Sequence, residues 1–170
     1  FEHAAVRRAT GDLYAIRGTA PPEGVPVYKS TDQGATWSTL FADLKTVVGF
    51  EGVASGVTRI IAPGTGHLYV QGTNNPTLVG EGDEGARLVY SHDDGATWAV
   101  SSGPDPTSAD IGGAGIAASE AFPTRVAWGN SNDSIYVTEA GGGWSRVYAG
   151  PGANQTATAK ASWRHGFAIE

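Results

Sequence analysis

The stretch Ser30-Thr31-Asp32-Gln33-Gly34-Ala35-Thr36-Trp37 returns as Ser91-His92-Asp93-Asp94-Gly95-Ala96-Thr97-Trp98. Both copies read S-x-D-x-G-x-T-W. Five fixed residue types in an eight-residue window, one of them Trp, are expected at roughly one start position in a million at ordinary residue usage. Two copies in 170 residues are therefore a repeat.

Each copy reads as a tight hairpin turn that carries its own lock. An apolar, β-prone run precedes it (Val25 to Tyr28; Leu88 to Tyr90), and a strand-like run follows (Thr36 to Phe41; Thr97 to Ser101). The Asp carboxylate is expected to accept hydrogen bonds from backbone N–H groups one to three residues ahead, as in an Asx-turn, and Gly supplies a positive φ. The Ser and Thr hydroxyls tie the two arms. Trp leaves on the second arm to bury a large ring with one N–H to satisfy.

The window resembles the Asp-box, or bacterial neuraminidase (BNR) repeat, of sialidase-like β-propellers. Those include sialidases, xyloglucanase-type glycoside hydrolases, sortilin-like receptor domains and photosystem assembly factors. The resemblance implies an all-β fold of four-stranded antiparallel propeller blades, with the box between the third and fourth strands of a blade and away from the active-site mouth. It therefore gives Ser30, Asp32, Gly34, Thr36 and Trp37, and Ser91, Asp93, Gly95, Thr97 and Trp98, structural roles and no catalytic one.

Three units follow in order. Residues 1–44 read as a first blade, with strands at His3 to Arg8, Leu13 to Arg17, Val25 to Lys29 and Thr36 to Phe41. Residues 45–103 read as a second, with strands at Val57 to Ala62 and His67 to Gln71 ahead of its box. A polar insertion, Gly72 to Gly85, stretches the box-to-box distance to 61 residues, above the 40 to 50 or so of common propeller repeats. Residues 104–170 read as a degenerate third blade plus the start of a further strand. There Pro104 to Ala118 is expected to be a loop, Thr124 to Trp128 and Ser134 to Thr138 strands, and Val137 to Trp144 a decayed box. In that box Glu139 stands for Asp, Gly141 and Trp144 hold, and the Ser and Thr are lost. Three blades do not close a ring, so completion by further blades or by a second copy is expected. The chain opens at Phe1 and has no Met, which suggests a piece of a longer or processed protein.

The chemistry of a hydrolase is sought and not found. A sialidase-like site needs an arginine cluster, a Tyr nucleophile with its Glu, and an Asp. Arg7, Arg8, Arg17, Arg59, Arg87 and Arg125 lack the family's Arg-Ile-Pro or Arg-Leu-Pro setting and read as residues of polar strand faces. A xyloglucanase-type site needs two facing carboxylates, for which Asp43, Glu51, Asp110 and Glu120 are free of boxes. Glu81, Asp83 and Glu84 could ligate Ca²⁺; no other cofactor is indicated. His3, His67, His92 and His165 have no metal-ligand spacing. Trp128, Trp144 and Trp163 could stack on sugars, although core packing accounts for them as well. Asn132-Asp133-Ser134 and Asn154-Gln155-Thr156 match the glycosylation acceptor pattern.

A net charge of −6 argues against nucleic acid and anionic membrane surfaces as partners, and no apolar run approaches the 18 or so residues of a spanning helix. With no Cys, redox chemistry does not identify a compartment. The expected function is a non-catalytic glycan- or protein-binding or structural module of a larger extracellular or virion-type assembly. The alternative is part of a sialidase-like or xyloglucanase-like glycoside hydrolase whose catalytic residues lie largely elsewhere.

Overall fold

The computed structural model describes residues 3–17, 24–50, 57–73, 86–101, 113–130 and 134–149. They form twelve strands in three four-stranded antiparallel sheets. The first sheet holds β1 (His3–Val6), β2 (Leu13–Ile16), β3 (Val27–Ser30) and β4 (Ser38–Phe41) in sequence order. The second holds β5 (Val57–Gly64), β6 (His67–Thr73), β7 (Ala86–Ser91) and β8 (Ala99–Ser101). The third holds β9 (Gly113–Ala118), β10 (Arg125–Asn130), β11 (Ser134–Glu139) and β12 (Trp144–Ala149). Each sheet is a blade-like up-and-down meander, and the three do not close into a ring.

Register follows from which side chains must be buried. Leu13 faces Ser30 across the first sheet and Leu68 faces Ser91 across the second, so the two sheets are superposable pairings of one repeat. The second strands are the most deeply buried, with Tyr14, Ala15, Ile16, Leu68, Tyr69 and Val70 sealed from solvent. Two apolar clusters join the sheets. Tyr14, Ile16, Val27, Leu44 and Phe50 pack with Ile60, Leu68, Val70 and Val89 between the first and second. Tyr69 and Leu88 pack with Ile116, Val126 and Trp128 between the second and third.

The link from β4 to β5 contributes to the first cluster. A single 3₁₀ turn, Leu44–Thr46, is capped by Asp43, whose carboxylate accepts from Lys45 N at 2.9 Å and from Val25 N at 2.8 Å. That bonding fixes Leu44, Val47 and Phe50 in the core.

The main departure from expectation is β9. Residues 113–118 were expected to lie in a loop, yet they pair with β10, Trp128 opposite Ile116. Gly and Ala carry little β-propensity of their own; here the strand is specified by burial beneath its neighbours, with Ile116 and Ala117 buried. The insertion at 74–85 and the tail at 150–170 lie outside the described residues, as does the further strand expected in that tail.

Candidate functional site

The two repeated windows carry the same hydrogen bonds to within 0.1 Å. In the first, Ser30 Oγ donates to Asp32 Oδ1 (2.7 Å) and accepts from Gly34 N (2.8 Å). Asp32 accepts from Thr36 N (2.9 Å) and Thr36 Oγ1 (2.5 Å), and Trp37 Nε1 donates to the Gly34 carbonyl (3.1 Å). In the second, Ser91, Asp93, Gly95, Thr97 and Trp98 repeat every one of these bonds. The residue before each glycine also has positive φ, 60° at Gln33 and 61° at Asp94. The Thr hydroxyl, then the Thr amide and the Ser hydroxyl, hold the Asp32 and Asp93 carboxyls down to about 2. Both Trp rings are half-buried.

The third window keeps the backbone of the turn and loses the carboxylate lock. Ala140 and Gly141 have positive φ, and Gly142 N donates to the Glu139 carbonyl as Ala35 N does to that of Asp32. The Glu139 carboxylate, however, turns away to accept from Thr124 Oγ1 (2.6 Å) and Arg125 Nε (3.0 Å). A hydroxyl, expected to be lost, is present one residue later than the alignment puts it. Thr138 is buried and donates through Oγ1 to the Gly142 carbonyl at 2.8 Å. The third turn is thus one residue shorter between its hydroxyl and its Trp. Trp144 donates to Ser101 Oγ of the second sheet, at 2.8 Å, and not to its own turn.

Asp94, at a variable position of the second window, joins two sheets. It accepts from Arg7 Nη1 (2.5 Å), Tyr14 OH (2.8 Å) and Lys29 Nζ (2.8 Å), all three on the first sheet or its first turn. Lys29 also pairs with Asp12 at 3.1 Å, and the Arg7 guanidinium lies 4.7 Å from the Tyr14 ring centre. Arg7, expected on a polar strand face, is only 2% exposed. Burial opposes the charged form of Asp94, but the bonds from Lys29, Arg7 and Tyr14 outweigh it and hold the carboxyl below its ordinary range. Burial, reinforced by Asp94, pushes the Tyr14 phenol up to about 12. Beside this group His67 and His92 meet with ring centres 4.7 Å apart, and Tyr90 lies 4.8 Å from His92. Loss of solvent pulls both imidazoles down, the neighbouring His92 and Arg7 adding to it at His67 and Asp93 opposing it at His92.

β5 lies between β1 and β9, and these strands line a cavity of about 960 Å³. Strand direction alternates within each sheet, so the window turns leave from the same end as the C-terminal ends of β1, β5 and β9. That end carries Arg8 and Glu120, which bridge the first and third sheets at 3.6 Å. His3 and Arg59 stand toward the other end among Ala4, Ala5, Ala62 and Ala117. Arg59 reaches across to the Ile116 carbonyl at 3.4 Å, and a Cβ on Gly115 would come within 3.1 Å of its Nη1.

Of the carboxylates considered for a hydrolytic pair, Asp43 caps its helix and Glu120 pairs with Arg8, whereas Glu51 and Asp110 lie outside the described residues. Glu81, Asp83 and Glu84, the residues considered for Ca²⁺, also lie outside them, as do His165, Trp163 and both Asn of the glycosylation patterns. Among the described residues no three His, Asp or Glu side chains gather as a metal site would require. Trp128 is buried and meets Trp144 edge to face at 5.5 Å, so it packs the core and offers no face to a sugar.

No protein-family model matches the chain, and no curated protein matches it. Solved structures do. A YCF48 protein from Cyanidioschyzon merolae superposes with a TM-score of 0.57 and 18% identity over 87% of this chain and 39% of its own. A GH74 enzyme from Niastella koreensis superposes with a TM-score of 0.57 and 20% identity over 86% of this chain and 22% of its own. Both are β-propeller proteins. At this identity the likeness establishes the fold, and the chain spans well under half the length of either neighbour.

Proposed function

We propose that the chain is a non-catalytic Asp-box β-propeller module that holds a glycan or protein ligand on its inner-strand face, within a larger extracellular or virion-type assembly. The observation that carries this reading is the inner-strand cavity. Its volume falls within the roughly 300–1,000 Å³ of small-ligand sites, and polar and apolar groups share its lining about equally. Ala4, Ala5, Ala62 and Ala117 supply the walls; His3 and Arg59 supply donors at the end away from the box turns. Its one described carboxylate, Glu120, is paired with Arg8, whereas glycoside hydrolysis by the common route uses two.

The test is binding to an array of neutral and acidic oligosaccharides, alongside assay with aryl glycosides. Binding that Arg59→Ala weakens at least tenfold, without release of the aryl group, supports the reading. Catalytic turnover, or binding that Arg59→Ala leaves unchanged, overturns it.

A further inference from the structure

Turns from all three sheets converge on two imidazoles. Asp94 N, in the second window, donates to the Gly66 carbonyl of the β5–β6 turn at 2.9 Å. A Cβ on Gly66 would come within 3.0 Å of the His92 carbonyl oxygen, so this turn and the window pack backbone to backbone. Tyr69 OH donates to the Pro123 carbonyl of the β9–β10 turn at 2.8 Å and lies 3.3 Å from His92 Nε2. Arg7, in the β1–β2 turn, reaches the His67 carbonyl through Nη2 at 3.5 Å. His67 and His92 stand where these contacts meet, their rings edge to face.

The two imidazoles are not equivalent. A proton on His92 Nε2 has the Tyr69 oxygen to accept it, because that hydroxyl gives its own proton to Pro123, and the Asp93 carboxylate favours the charge. His67 has neither advantage. Its Nδ1 is buried with no hydrogen-bond partner, and so is Arg7 Nε. The charged groups that act on it are His92 and the Arg7 guanidinium, both against protonation. Each nearby carboxylate is already committed: Asp94 to Arg7, Tyr14 and Lys29, Asp12 to Lys29, Asp93 to Thr97 and Ser91, and Glu139 to Thr124 and Arg125. The remaining ring neighbours of the pair, Tyr69 and Tyr90, are phenols, which carry no charge in the acid range.

A proton taken up by His67 is therefore an unpartnered charge set against a guanidinium that is itself buried. Such a charge is relieved by admitting water. Water enters where the packing is polar and partly open, at the Asp94 contacts with the first sheet, and not through the apolar cluster that joins the same two sheets.

We propose that His67 is an acid-sensitive latch: while its imidazole is neutral the second window stays seated on the first sheet, and its protonation lifts the Asp94 turn off Arg7 and Lys29 while the apolar clusters stay joined. Burial holds the folded His67 below its ordinary 6.5. The latch is therefore closed above that value and opens as pH falls through the folded one.

Hydrogen exchange at the Asp94 amide, corrected for the intrinsic effect of pH, tests this. Between about pH 7.5 and about pH 5 its opening is expected to rise at least roughly threefold in the parent chain, with the amides of Ile16 and Val70 unmoved. His67→Phe, which keeps a ring and loses the titrating nitrogens, is expected to abolish the rise, and His67→Gln to do the same with a smaller side chain. In the parent chain itself the His67 imidazole is expected to titrate below 6.5 by proton NMR, a reading that needs no variant. Exchange at Asp94 equal at both pH values, a rise shared by Ile16 and Val70, a rise that persists in the folded His67 variants, or titration of His67 at or above 6.5 overturns the proposal.

Discussion

The carboxylates of Asp32 and Asp93 stand in solvent, yet their short bonds are all to groups within their own turn. Such an arrangement trades side-chain freedom for a fixed hairpin, because Ser, Asp and Thr satisfy the backbone N–H groups that the turn would otherwise leave to water. The stability it contributes depends on ionisation. Each carboxyl sits at about 2 when folded against an ordinary 3.8. A folded value below the unfolded one stabilises above the unfolded value, and the gain disappears as pH falls through the folded one. Asp93→Ala is therefore expected to lower the melting temperature at pH 7, and the gap from the parent chain should narrow from about pH 4 and close near pH 2. Thermal melts across that range check it; a gap independent of pH would show that ionisation of Asp93 contributes nothing. The residue types of these locks were legible and their spacing was not: the carboxylate takes the Thr amide four residues on, beyond the one to three expected. Glu139 was not legible. It shares the charge of Asp but is one methylene longer, and Thr124 and Arg125 offer it a better place outside the turn.

At the scale of the element, the strand pairs were readable from apolar runs and turn signals, and β9 was not. Its Gly and Ala residues have no pattern of their own, and its conformation comes from the sheets around it. The Asp94 junction was also hidden, since nothing local links Arg7 to a residue 87 positions away. Removing one member of a buried ion pair typically costs about 3–5 kcal/mol. Asp94 is 38% exposed at its side chain, so solvent screens part of that, and Lys29 keeps Asp12. For Asp94→Ala a loss of roughly 2 kcal/mol is expected in denaturant melts. Asp94→Ala combined with Arg7→Leu should recover part of it, because the second change removes the buried cation left behind. No recovery would mean that Arg7 is held by contacts other than the carboxylate.

For the molecule as a whole, the two apolar clusters are unequal. Among the described residues, twelve buried side chains join the first two sheets and five join the second to the third. Local opening follows the distribution of buried apolar contact. Amide hydrogens of β10 and β11 are therefore expected to exchange at least tenfold faster than those of β2 and β6. Equal rates would show that all three sheets open as one unit. The fold itself, three blade-like sheets in a ring not closed, followed from the repeat, and the inner-strand cavity followed only from the arrangement of the sheets.

The fixed residues of the window build the turn wherever they occur, but the variable residue before the glycine decides which neighbour the turn accepts. Asp94 suits a sheet bearing Arg7 and Lys29; Ala140, in the same place, makes no such demand. The repeat thus has two separable parts, one that makes a blade and one that addresses it. Reordering the sheets by exchanging the second and third would leave every hairpin intact and yet set Ala140 beside a buried guanidinium with no anion, so the order of blades is written in the least regular letter of the motif.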